Sequence, residues 1–64
     1  MKVRDVIKRI KTDGWYYDYT EGDHQHFRHA VKRGKVTVSG HPSDEVKPGT
    51  LLSIWRQAGL RKPR

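Results

Sequence analysis

Apolar residues near the start of the chain recur with a helical period. Charged residues fill the gaps between apolar residues that stand three or four positions apart, namely Val3, Val6, Ile7 and Ile10. This spacing is typical of an amphipathic helix with one buried stripe. Gly14 follows the pattern and can adopt the left-handed conformation that ends a helix. The sequence therefore predicts a first helix over residues 2–12.

Three short segments after this helix have the composition and spacing of β-strands. Aromatic and β-branched residues are concentrated in them, and residues rich in Gly and charge separate them. These patterns predict strands over residues 15–20, 24–31 and 35–39, with turns at 21–23 and 32–34. Because turns this short force neighbouring strands to run antiparallel, the three strands should form a meander.

A second helical pattern follows a loop at residues 40–47. Pro48 suits the first position of a helix, and Gly59 suits its end. Between them the apolar positions are Leu51, Ile54, Trp55 and Ala58. The predicted fold is therefore a single α+β domain over residues 1–64, in the order αβββα. Both helices should cover one side of a three-stranded antiparallel sheet, and residues 61–64 should form a mobile tail.

Alternation along the strands predicts which side chains face the helices. In the second strand it separates two sets, with Gln25, Phe27 and His29 on one side and His24, His26 and Arg28 on the other. Phe27 belongs in the core, so the second set should face solvent. In the first strand Trp15, Tyr17 and Tyr19 should share one side, and Tyr16, Asp18 and Thr20 the other. We expect the core or its rim to contain Trp15, Tyr17, Tyr19, Phe27 and Trp55.

The net charge of the chain points to a polyanionic partner. Lys and Arg number 14 against 7 Asp and Glu, which gives a formal charge of +7 with neutral histidines. In so short a chain this excess favours nucleic acid ahead of an anionic membrane. There is no Cys, which excludes a disulfide framework and zinc sites built from thiolates. The chain has neither a long apolar run nor an apolar signal segment, so we expect a cytoplasmic location without membrane contact.

Histidine is the residue type that suggests chemistry here. Three of the four histidines lie close together, at His24, His26 and His29, and His41 follows later. An imidazole can transfer protons near neutral pH. RNA carries its own nucleophile, the ribose 2′-hydroxyl, so a protein need only move protons and stabilise the charged phosphorane. DNA lacks this hydroxyl, and the pattern therefore favours RNA cleavage.

Other interpretations of the histidines stay open at this point. His24 and His26 share a strand face and could ligate a divalent metal ion, with His41 or Asp23 as the third ligand. They could also be surface residues without a specific function. The non-catalytic alternative for the whole chain is an RNA-binding module whose basic surface docks on the shape of a duplex.

Several short motifs, taken in order, resemble one known family. They are Asp13-Gly14-Trp15, then Gly22-Asp23-His24, then Phe27-Arg28-His29, and finally Gln57-Ala58-Gly59-Leu60. Their order and spacing over nearly the whole chain resemble the HicA toxins of bacterial and archaeal type II toxin–antitoxin systems. The resemblance implies an αβββα fold like that of double-stranded-RNA-binding domains. It also implies a translation-independent mRNA endoribonuclease, neutralised by a HicB-type antitoxin.

The resemblance also implies which histidine acts. The functional histidine of the family follows Gly-Ser or Gly-Asp at the start of the second strand, and here it corresponds to His24. Asp23 stands where Ser is commoner. We expect His24 to be the general acid or base, with RNA held on a basic solvent-facing side of the sheet. The residues expected to contact RNA are Arg28, His26, Lys32, Arg33, Lys35 and Tyr16, of which Tyr16 would stack a base.

Three further expectations concern the chemistry and the partners. The second proton-transfer group is left open between His26, His41 and water. No metal ion and no small-molecule cofactor is expected to take part. The antitoxin should cover the side of the sheet that carries His24, and acidic residues on it would complement the toxin.

Overall fold

The computed structural model describes residues 1–60, which form two helices and one three-stranded sheet. In chain order the elements are α1 (Val3–Thr12), β1 (Trp15–Glu21), β2 (His24–His29), β3 (Val36–Ser39) and α2 (Pro48–Gln57). This order confirms the predicted αβββα fold. The tail predicted at 61–64 lies outside the described residues. Neither helix is long and apolar enough to span a membrane.

The sheet is antiparallel with β2 at its centre, in the order β1-β2-β3. Phe27 lies directly opposite Tyr17 on β1 and Val36 on β3. His24, at the other end of β2, lies opposite Glu21 and Ser39. Directly opposed residues share one side of a sheet. The register therefore sorts the side chains of all three strands into a helix side and a solvent side.

The core lies between the helix side of the sheet and the two helices. Its buried side chains come from every element, and they are Val3, Val6, Ile10, Trp15, Phe27, Val36, Val38, Ile54, Trp55 and Ala58. Full burial of a side chain the size of Val or Phe stabilises the fold by about 1.5–3 kcal/mol. The indole N–H of Trp15 also donates to the carbonyl of Ala58, at 3.2 Å, which joins β1 to the end of α2.

An irregularity in β1 corrects part of the predicted alternation. The register against β2 shifts between Tyr17 and Tyr19, so Asp18 is the extra residue of a β-bulge. Tyr17 stays on the helix side, at the rim of the core, and meets Phe27 edge to face at 6.1 Å. Tyr19 instead points to the solvent side, and its predicted position at the core is wrong. The alternation failed because a bulge lets two successive residues face the same side.

His29 is a structural residue that ties the end of α1 to the segment after β2. Its Nε2 donates to the carbonyl of Asp13 at 2.8 Å. Its Nδ1 accepts from the backbone N–H groups of Val31 and Lys32, at 3.0 and 3.1 Å. Gly14 leaves room for the ring, because a Cβ at this position would lie 2.7 Å from Nε2 and the φ of Gly14 is +104°. The predicted helix-side position of His29 is confirmed.

Lys32 joins the C-terminal ends of both helices. Its Nζ donates to the carboxylate of Asp13, which caps α1. It also donates to the carbonyl of Ala58, which caps α2, at 3.0 Å. A cation is stabilising at a helix C-terminus. The hydrogen bond from Lys32 holds the pKa of Asp13 below its ordinary value of 3.8, with the positive charge of Lys32 acting in the same direction.

We predict that His29→Ala destabilises the fold by about 1–3 kcal/mol, because three backbone groups lose their partner. Urea unfolding followed by tryptophan fluorescence measures this change. His41→Ala is the matched control, since His41 is exposed and substitutions at such positions usually change stability by less than about 0.5 kcal/mol. Equal stability of the two variants would show that the His29 network contributes nothing.

We predict that Asp13 makes the fold sensitive to acid. Its pKa is lowered in the folded state, so the stabilisation is present above the ordinary carboxyl pKa and is lost as the pH falls through 3.8 and below. In Asp13→Asn the free energy of unfolding should therefore fall less steeply as the pH drops from about 5 to 2. Glu21→Gln, which removes an exposed carboxylate, should leave the slope unchanged. A slope unaltered by Asp13→Asn would contradict the linkage.

Candidate active site

The side of the sheet away from the helices carries the candidate site. Because Phe27 is buried and side chains alternate, β2 presents His24, His26 and Arg28 in a row on this side. The register brings residues of β1 and β3 beside them. We call this surface the open face, and its residues are Tyr16, Asp18, Tyr19, Glu21, His24, His26, Arg28, Thr37 and Ser39. The three β2 residues lie on the predicted side of the sheet, but only His24 and Arg28 of the three are exposed there, since His26 is buried.

His24 begins β2 and is accessible to solvent. Its side chain is 57% exposed, directly after the β1–β2 turn that Gly22 makes with a φ of +63°. The carboxylate of Asp23 approaches the ring, with Oδ1 3.3 Å from Nε2. The charge of Asp23 thus lies beside one ring nitrogen of His24. The remainder of the ring is open to a ligand.

His26 has a different environment although it lies on the same face. It is only 9% exposed, because Tyr19 stacks on its ring with centroids 4.4 Å apart and planes 19° apart. Its Nδ1 lies 3.0 Å from the hydroxyl of Thr37. Within residues 1–60 its Nε2 makes no hydrogen bond, and this nitrogen is not fully buried. The ring is thus held in one orientation.

Arg28 lies at the far end of the row from His24. Its side chain is half exposed, and its Nε donates to the carboxylate of Asp18 at 3.2 Å. The two terminal nitrogens make no hydrogen bond within the described part of the chain, so they remain available to an anion. Tyr16 lies directly opposite Arg28 on β1 and is exposed. Tyr16 and Arg28 therefore lie side by side at this end of the open face.

The other cations expected to contact RNA do not join this row. Lys32 binds the ends of both helices instead, on the helix side of the molecule. Arg33 and Lys35 are exposed but lie in the connection from β2 to β3, which leaves the sheet at the end away from His24. The two ends of β2 are five residue steps apart, or roughly 17 Å. Among residues 1–60, Arg28 alone brings a fixed positive charge to the open face.

The charge of the open face differs from the expectation. Residues 12–60 contain six Lys and Arg against six Asp and Glu, whereas residues 1–11 contain five against one. Two carboxylates, those of Asp18 and Glu21, lie on the open face itself, and that of Asp23 lies at its edge. The predicted basic sheet surface is therefore wrong. The excess charge of the described residues is in residues 1–11, mostly on α1, because the acidic residues of β1 and the turn offset the cations near the sheet.

The residues proposed as metal ligands do not form a set. Within residues 1–60 no three His, Asp or Glu side chains come close enough together to hold a metal ion. His26 is also restrained, since Nδ1 is beside Thr37 and Tyr19 covers the ring. What the arrangement can do is move a proton at His24, donate hydrogen bonds from Arg28 and stack a planar group on Tyr16.

Comparison with known proteins agrees with the fold and with the motifs around the site. The family model of HicA toxins of bacterial toxin–antitoxin systems matches residues 3–60, which is nearly the whole chain. Comparison with curated proteins found no match. The matched region contains all five helices and strands and every residue of the open face. The chain therefore belongs to the HicA family, and it is a toxin whose protein partner is an antitoxin.

Proposed function

We propose that the chain is an endoribonuclease that cleaves mRNA by proton transfer at His24, independently of translation and without a metal ion. The observation that carries this proposal is an exposed imidazole in a row with Arg28 on the open face. The family membership supports it, because the motif Gly22-Asp23-His24 corresponds to the position of the family's functional histidine. Its mRNA substrate would be met in the cytoplasm.

Cleavage requires one proton to leave the RNA and another to arrive. The ribose 2′-oxygen bonds to the adjacent phosphorus as its proton leaves, and the bond from phosphorus to the 5′-oxygen breaks as that oxygen is protonated. The products are a 2′,3′-cyclic phosphate and a 5′-hydroxyl. We assign one of these two proton transfers to His24, because its exposed ring can approach the ribose.

Arg28 is proposed to stabilise the negative charge that develops on the phosphate. Asp18 holds its Nε, which orients the guanidinium and leaves the terminal nitrogens for two hydrogen bonds to the phosphate. Tyr16 is proposed to stack a base beside it. Arg33 and Lys35 would meet phosphates further along the strand. Lys32 could reach RNA only by leaving Asp13 and Ala58, so we assign it to the fold.

His26 is proposed to support His24. The two residues lie about 7 Å apart along β2, and Tyr19 and Thr37 hold the His26 ring, whose Nε2 is not fully buried. A group held in place loses little freedom when it bonds to the substrate. His41 is exposed in the loop after β3, and its ring makes no hydrogen bond within residues 1–60, so nothing holds it in place as Thr37 and Tyr19 hold His26. The second proton transfer is therefore left to His26 or to water.

The antitoxin is proposed to be of the HicB type and to cover the open face. This face exposes Tyr16 and Tyr19, and aromatic side chains are enriched in the centre of protein interfaces. Covering it would block access to His24. Acidic residues on the antitoxin would complement Arg28.

We predict that His24→Ala lowers RNA cleavage by a factor of about 10²–10⁴, the usual contribution of general acid–base catalysis. Binding of an RNA oligonucleotide should change less than about twofold, because Arg28 and the other cations remain. The assay uses identically purified variants with excess chelator present, and wild-type cleavage should persist in the chelator. Cleavage unchanged by His24→Ala would remove His24 from the mechanism.

The comparison variant in the same assay is His41→Asn, which we expect to cleave RNA like the wild type. Loss of activity equal to that of His24→Ala would move the reaction away from the open face. RNA binding with no cleavage by any variant, wild type included, would favour the non-catalytic RNA-binding module.

We predict that Tyr16→Ala weakens antitoxin binding at least tenfold, as expected when an aromatic side chain is lost from the centre of an interface. Tyr17→Ala is the matched control, because Tyr17 is similarly exposed but lies on the helix side. It should change the affinity less than about threefold, within the range of substitutions outside an interface hot spot. Titration calorimetry with the antitoxin measures both, and a larger effect of Tyr17→Ala would contradict the proposed interface.

A further inference from the structure

Helix α1 presents a stripe of cations on the side opposite its buried residues. Arg4, Lys8 and Lys11 are exposed and stand four and three residues apart, so they lie along one side of the helix. We call these three residues the α1 basic stripe. No carboxylate within residues 1–60 forms an ion pair with any of them.

The stripe accounts for most of the charge imbalance in the described residues. Residues 1–11 have five cations against one anion, four of these cations lie in α1, and residues 12–60 are balanced. Like charges four residues apart on a helix repel one another and destabilise it. Unpaired cations in such a row are the arrangement that a phosphate backbone neutralises, with release of its counterions.

The composition of this surface favours a nucleic acid over a protein. The apolar residues of α1 pack on the core, with Val3, Val6 and Ile10 buried. The stripe therefore offers charge without an apolar or aromatic anchor. Protein interfaces are depleted in Lys and built around such anchors, whereas phosphate contacts are made by Lys and Arg.

The chain places the start of the stripe at the same end of the molecule as His24. Ser39 lies directly opposite His24, and the N–H of Gly40 donates to the carbonyl of Asp23. The carbonyl of Pro42, three residues beyond Ser39, accepts the N–H of Arg4 at 3.1 Å. Three residues span at most about 10 Å. A polynucleotide that leaves the open face at His24 therefore reaches the stripe within a few nucleotides.

We propose that the α1 basic stripe binds the phosphate backbone of the RNA that flanks the bond cleaved at His24. This inference rests on the proposed function for the identity of the RNA as a substrate. The residues of the open face act on the single phosphodiester bond that is cleaved. The stripe binds the flanking RNA where it passes around the end of the sheet. Its contribution should depend on RNA length and salt, and it should appear in KM and not in kcat.

The test compares two double variants that remove the same charges from different places. Arg4→Gln with Lys8→Gln removes one Arg and one Lys from the stripe. Lys47→Gln with Arg56→Gln removes one of each from exposed positions at the two ends of α2, where neither forms an ion pair within residues 1–60. Urea unfolding checks that both variants keep the stability of the parent protein.

Binding is measured in the His24→Ala background with a 20-nucleotide RNA over a range of salt concentrations. For the stripe variant we expect at least tenfold weaker binding at 0.1 M salt, and a slope of log K against log salt reduced by about 1.4, or about 0.7 for each lost contact to a single strand. The α2 variant should bind like the parent. Equal weakening by both variants, or no RNA binding by the parent, overturns the proposal.

Cleavage is measured with His24 restored, on the same 20-nucleotide RNA and on a trinucleotide. The stripe variant should raise KM for the long RNA at least tenfold, with kcat and the trinucleotide reaction unchanged within twofold. An equal rise of KM for the trinucleotide would overturn the proposal. So would a stripe variant that loses affinity for the antitoxin but keeps its affinity for RNA. If the parent binds RNA without cleaving it, the proposed function fails, but the binding arm still decides the role of the stripe.

Discussion

Burial of Phe27 against the two helices determines the direction of the side chains along β2. Successive residues of a strand point to opposite sides, so a buried Phe27 directs His26 and Arg28 away from the core. The pairing with Val36 on β3 reinforces this register. A slip of one residue would bring Arg28 into the apolar layer, where an unpaired charge is very unfavourable. The geometry of the open face is thus a consequence of core packing.

The bulge at Asp18 then makes the two histidines of the row unequal. It places Asp18 and Tyr19 on the same side, where the first reaches Arg28 and the second stacks on His26. A regular strand would put Tyr19 on the helix side and leave His26 uncovered. One extra residue in an edge strand therefore orients both a guanidinium and an imidazole.

The excess positive charge of residues 1–60 and the proposed catalytic residues lie on different surfaces of this small domain. The carboxylates near the sheet offset its cations and contact Arg28 and His24 at short range, which orients these groups. Within residues 1–60 most of the uncompensated charge lies on α1, where no carboxylate of these residues pairs with the stripe. Long-range attraction of a polyanion depends on the summed field, and local catalysis depends on orientation. In this fold α1 carries the charge that would attract a polyanion, and the sheet carries the oriented side chains.

The order of elements, the core position of Phe27 and the exposure of His24 could be predicted from sequence, because they follow from local periodicity and from the need to bury apolar residues. The motifs that identify the family are local in the same sense. Only the tertiary structure decided the side on which Tyr19 lies, the stacking on His26, the role of Lys32 and the lack of excess positive charge on the open face. These depend on a bulge and on contacts between residues far apart in the chain. A periodic pattern has no information about them, since it describes each element alone.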